Sequence, residues 1–232
     1  MIYKDFESII IKYIFEILGG RSVEHNNRTK ELSETALFVA VIIVMSVVPF
    51  LGYIPLGPIN ATTIHIPVII GAILFGWKKG ALLGGVFGFT SLIKNTVSPN
   101  ASSFVFSPFI PVLGSDKGSL WALVVVLLPR ILIGIFAALV FSAMIKFKAK
   151  RPIACAVAGF VGSMTNTIFV MGGIYLFFGH SYAAVKDIAY EALLTTIKTI
   201  VTGSGLVEAV VAAVLSAAIG TALLRSAAFR KE

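Results

Sequence analysis

Arg130 and Glu208 stand deep inside apolar runs of this sequence, in "VVVLLPRILIGIF" and "GSGLVEAVVAA". A charge in such surroundings is costly and normally faces a partner, a cavity or a ligand. Two readings follow. Arg130 and Glu208 form an ion pair that ties two helices together, or Arg130, with Lys94 as the other candidate, is the counter-charge for an anionic ligand. Asn95 and Asn166 precede threonines in "IKNT" and "MTNT". Neither carries a charge, but each is expensive without hydrogen-bond partners in apolar surroundings. Interhelical hydrogen bonds would satisfy either one alone. Their convergence with Lys94, Arg130 and Glu208 favours a binding site.

Catalysis has less support. His25 lies in a polar linker, His180 in a loop, and His65 stands alone among apolar residues, where a hydrogen-bonded packing role is the plainer reading. No nucleophile has a base at plausible spacing, and no Cys/His spacing suggests a metal. The single cysteine, Cys155, excludes an internal disulfide and reads as packing. The chain holds no GxxxxGK[ST] phosphate loop, so any ATP-driven function needs its engine on another chain. No catalytic residue, metal or cofactor is expected.

The elements that position these residues are six long apolar segments, at 34–50, 61–77, 80–97, 119–145, 152–178 and 199–224. Most are long enough to cross a hydrocarbon core of about 30 Å as helix; the second is short. Composition agrees, with 57% hydrophobic and 13% charged residues. Lys and Arg cluster before segment one (Lys4, Lys12, Arg21, Arg28, Lys30), between two and three (Lys78, Lys79), between four and five (Lys146, Lys148, Lys150, Arg151) and after six (Arg225, Arg230, Lys231). Six crossings put all of these on one side. The positive-inside rule makes that side, and both termini, cytoplasmic, leaving 51–60, 98–118 and 179–198 as outer loops. The expected fold is thus an all-α integral membrane protein with six transmembrane helices. The net charge of +8 suits anionic headgroups, and no surface for nucleic acid remains.

Residues 1–30 read separately, as a cytoplasmic amphipathic helix and linker ahead of a membrane domain at 31–232. Ile2, Phe6, Ile9, Ile10, Tyr13, Ile14 and Ile17 share one stripe opposite Lys4, Asp5, Ser8, Lys12 and Glu16, which suits a helix lying on the bilayer surface.

Two loops are unusual. Residues 97–118, "VSPNASSFVFSPFIPVLGSDKG", set Phe104, Phe106 and Phe109 among Ser and Pro, and the first outer loop, with Asn60, is Pro- and Gly-rich yet apolar. Irregular backbone at membrane depth is tolerated where it is buried or lines a cavity. Two apolar loops over clustered polar groups suggest a lidded small-molecule pocket. Gly80, Gly84 and Gly88 repeat at every fourth position, which lets a neighbouring backbone approach, and packing within the chain is the expected use. Ala36 and Ala40 are similarly spaced in segment one.

At this point the residues carry a resemblance. "IPLGPINATTIHIPVIIGAILFGWKKGALLGGVFGFTSLIKNT", followed by "SFVFSPF" and later "PRILIG", resembles the substrate-specific S components of energy-coupling factor (ECF) vitamin importers. The resemblance implies an S-component fold that binds one vitamin from outside and works with a membrane coupling subunit and two cytoplasmic ATPase subunits, toppling to release its cargo inside. The family's AxxxA motif, which contacts the coupling subunit, matches Ala36 and Ala40. The vitamin-binding candidates are Asn60, Lys94, Asn95, Phe104, Phe106, Arg130, Asn166 and Glu208. "IPxGP…ATT…HIPVIIGA" and "SFVFSPF" look most like the subgroup that includes pantothenate-specific S components. Riboflavin, folate and other micronutrients remain alternatives, and a stand-alone secondary transporter is the alternative from another class, although no internal repeat supports it.

Overall fold

The computed structural model of the chain describes residues 23–48, 52–56 and 59–226. The amphipathic stripe of residues 2–17 lies outside the described residues. The chain divides into two units, Met1–Leu37 and Phe38–Glu232. Helix α1 spans Val23–Val47. It is followed by two short antiparallel strands, β1 (Tyr53–Leu56) and β2 (Ile59–Thr62), with Tyr53 opposite Thr62 and Leu56 opposite Ile59. Five further helices complete the described chain: α2 (His65–Phe75), α3 (Trp77–Val97), α4 (Trp121–Lys146), α5 (Arg151–Val185) and α6 (Tyr190–Arg225).

Helices dominate, as expected, but the hairpin departs from an all-α fold. Its cause is local. Pro55 and Pro58 cannot sit inside a helix, and the β-branched and polar residues between Ile54 and Thr63 suit extended backbone. The hairpin takes the first residues of the apolar segment expected at 61–77, so α2 has 11 residues. At about 1.5 Å per residue it falls well short of a hydrocarbon core.

The loop expected at 179–198 is also corrected. α5 continues to Val185 and α6 begins at Tyr190, so only 186–189 connect them. The polar residues there belong to exposed faces of helices whose other faces bury Phe178, Tyr182, Leu193 and Ile197. Amphipathic helix continues where uniform hydropathy stops.

Among the described residues, α4, α5 and α6 are long and apolar enough to cross a membrane. α6 contains two π-helical turns, Val201–Gly205 and Ser216–Gly220. Two apolar clusters hold the helices together. One surrounds α2, with Ile69, Leu83 and Ile133, and the other lies at the far end of α4, with Phe104, Val105, Ile174 and Leu193.

Candidate functional site

The site begins with the contact of α3 on α4. Gly80 lies against the backbone of Gly134, Gly84 against the carbonyl of Arg130, and Gly88 against Val126 and Leu127. The glycine stripe thus packs within the chain, and it fixes the backbone of Arg130 directly. Pro129 does the rest. Without an N–H it leaves the carbonyl of Val125 unbonded in the helix ladder, and Arg130 Nη1 donates to that oxygen at 3.0 Å. The guanidinium lies 5.6 Å from the Phe87 ring centroid and 5.2 Å from that of Phe106. Two ring faces offer a cation partial electrostatic compensation where water is scarce, and Arg130 is only 8% exposed.

Phe106 reaches Arg130 because its loop is pinned to α3. Ser103 Oγ donates to Asn95 Oδ1 at 2.9 Å, and the hydroxyls of Thr96 and Ser107 share a hydrogen bond of 2.8 Å. Asn95 Nδ2 also donates to the Ser91 carbonyl. Ser103, Phe104, Val105 and Ser107 are buried, and Phe104 meets Phe178 edge to face. The "IKNT" polar pair therefore serves as a latch for the loop. Lys94, seven residues beyond Phe87, occupies the same stripe of α3 two turns nearer that loop and is half-buried.

Glu208 anchors the hairpin. Its Oε1 accepts a hydrogen bond from the Thr62 backbone N–H at 3.2 Å. Glu208 and Arg130 are thus turned to different partners, which corrects the expectation of an ion pair between them. A few residues away, Gly205 packs on Thr167, and Gly162 packs on Ile69 and Ala137. Asn166 lies between those two contacts on α5. On α2, His65 lies between Thr62 and Ile69. Both His65 nitrogens and Asn166 Oδ1 are buried without hydrogen-bond partners. The sequence singled out Asn166 but assigned His65 to packing, and its neighbours gave no signal to the contrary.

The predicted residues are therefore distributed unevenly. Arg130 meets Phe106, Glu208 holds the hairpin to α6, and Asn166 stands apart on α5, whereas Asn95 and Phe104 hold the loop in place. Phe109, the third aromatic of that loop, is exposed. Asn60 pairs with Pro55 through the hairpin register, and its side chain lies outside the described residues. Ala36 and Ala40 are exposed on α1, beside the equally exposed Leu37, Val41 and Val44. An apolar groove of about 370 Å³ lies between α1, α2 and α6, lined by residues such as Met45, Ile70 and Leu223. It carries no charge to receive a polar solute.

A family model described as the substrate-specific component of ECF transporters matches residues 30–220. The chain is 34% identical over 201 residues to the pantothenic acid transporter PanT of Lactococcus lactis subsp. cremoris, covering 86% of this chain and 96% of that protein. It is 30% identical over 207 residues to the pantothenate transporter PanT of Leuconostoc mesenteroides subsp. mesenteroides, covering 86% and 94%. The chain belongs to the family of substrate-specific components of ECF transporters.

Proposed function

We propose that this chain is the pantothenate-binding subunit of an ECF-type importer. Pantothenate carries a carboxylate, an amide and two hydroxyls. The observation that carries the reading is the setting of Arg130: a nearly dry guanidinium, its backbone set by Gly84 and its Nη1 bonded to the Val125 carbonyl, flanked by two phenyl rings and roofed by a latched loop. A planar fork of donors suits a carboxylate, and a dry site strengthens the attraction. Asn166 on α5 supplies a further polar group, a buried amide oxygen without a partner. Both relatives are named for this vitamin.

In this reading the chain crosses the bacterial cell membrane six times, the short and fully enclosed α2 making the second crossing inside the other helices, with both termini cytoplasmic. The hairpin and the 98–118 loop face outward and close over the vitamin. ATP hydrolysis falls to two partner ATPases, and a membrane coupling subunit docks along the Ala36–Ala40 stripe. Small exposed side chains on that stripe allow another helix to approach closely.

Titration of the purified protein, in lipid nanodiscs, with pantothenate, riboflavin and folate tests the substrate. Saturable one-to-one binding of pantothenate alone is expected, and binding of another vitamin in its place overturns the assignment. Pantothenate accumulation in liposomes that contain only this chain overturns the need for partners.

A further inference from the structure

Buried polar atoms in folded proteins nearly always have a hydrogen-bond partner, so each exception needs an explanation. His65 is such an exception twice over. It is 1% exposed, and both Nδ1 and Nε2 lack a partner. A neutral imidazole has one donor and one acceptor to satisfy.

Its position supplies the explanation. On α2, His65 is one helical turn from Ile69, which packs on Gly162, and three residues from Thr62, whose N–H is bound by Glu208. On α5, Asn166 is one turn from Gly162 and adjacent to Thr167, which packs on Gly205, three residues from Glu208. The Ile69–Gly162 contact therefore stands one turn from both residues, and beyond each of them the chain meets the same stretch of α6, at Gly205 and Glu208. Residues four apart share a helix face, so His65 lies on the stripe of α2 that meets α5, and Asn166 on the stripe of α5 that meets α2. Asn166 Oδ1 is also buried without a partner. Two orphaned polar side chains from two helices, at one level and on facing stripes, define a place prepared for a polar molecule.

We infer that His65 contacts the transported vitamin, hydrogen-bonding a neutral hydroxyl or amide beside Asn166 while Arg130 holds the carboxylate, and so determines specificity. The inference rests on the pantothenate-binding reading above. A histidine that served only packing would behave differently on replacement. Removing unpaired buried nitrogens in favour of an apolar side chain relieves a desolvation penalty, whereas removing the partner of a ligand group exposes one.

The test compares wild type, His65→Leu and His65→Gln in nanodiscs by calorimetric titration with pantothenate and by thermal unfolding without ligand. His65→Leu is expected to bind about tenfold more weakly or worse while its ligand-free melting temperature holds or rises, and His65→Gln, which keeps a donor and an acceptor, recovers part of the loss. Wild-type affinity in His65→Leu overturns the inference while leaving the pantothenate reading intact. So does a parallel fall of stability and affinity in both variants. If wild type itself fails to bind pantothenate, the functional reading falls and the inference with it. Should His65→Leu not fold, the ¹⁵N imidazole signals of a His25→Gln, His180→Gln protein decide the matter. A shift of the His65 nitrogens on saturation with pantothenate supports the contact, and unchanged signals overturn it.

Discussion

Gly84 on α3 lies directly against the backbone carbonyl of Arg130 on α4, leaving no room for a β-carbon. One close approach thereby sets both the spacing of two helices and the height of the buried cation. Phe87, one turn along from Gly84, is brought to the guanidinium by the same contact.

Gly84→Ala should accordingly damage two properties at once. Overpacking a close contact costs about 1–3 kcal/mol, and the shift of α3 carries Phe87 away from Arg130. The expected outcome is a lower melting temperature together with weaker pantothenate binding. Gly85→Ala is the control, since its β-carbon meets open space. Equal effects of the two substitutions would contradict the role of the Gly84 contact.

Pro129 gives a subtler test. Replacing it with Ala restores an N–H that can bond the Val125 carbonyl, the oxygen now held by Arg130. Pro129→Ala should leave the helix as stable or more so, yet weaken pantothenate binding several-fold as the guanidinium loses its anchor, by roughly the value of one hydrogen bond to a charged group. Arg130→Ala should cost far more, on the order of a hundredfold in affinity, in line with the loss of a buried charge pair. Calorimetry on both variants checks the ranking. A tighter-binding Pro129→Ala, or an Arg130→Ala protein that folds and binds normally, counts against the anchored-cation mechanism.

Much of this arrangement was legible beforehand and some was not. The apolar segments, the spaced glycines and the isolated Arg130 announce themselves because each depends on residue type and local spacing. The hairpin at 53–62 was hidden because an apolar stretch with prolines reads equally well as loop, and only docking to Glu208 shows what holds it. The continuation of α5 to Val185 is not legible in the sequence because its polar face resembles a loop until the packing of Phe178 and Tyr182 is seen. For His65 the sequence shows a histidine surrounded by apolar residues, but not that its nitrogens lack the hydrogen bonds a packing histidine normally makes.

The link between Glu208 and the hairpin leads to a third expectation. Gln at 208 keeps an oxygen to accept the Thr62 N–H, and Leu does not. Hydrogen exchange across 53–62 should therefore be little changed in Glu208→Gln and clearly faster in Glu208→Leu, by a factor that corresponds to about 1 kcal/mol or more. Identical protection in the two variants would mean that something other than this bond holds the hairpin.

For the exposed face of α1, bulky substitution separates binding from transport. Ala36→Trp or Ala40→Trp should leave pantothenate affinity within about twofold of wild type, since exposed positions tolerate change, and abolish uptake in cells that carry the coupling and ATPase chains. A loss of affinity would instead assign those alanines to the vitamin-binding unit itself.

The enclosure of α2 has a further consequence. Every residue from His65 to Leu74 is buried, so this apolar helix is solvated by its own protein and hidden from lipid on all sides. Its hydrophobicity therefore records the demands of a jigsaw, in which shape and volume matter as much as greasiness. Swaps among Ile, Val and Leu that a lipid-facing surface would accept without notice should register here as measurable losses of stability, making α2 the axle on which the surrounding helices are mounted.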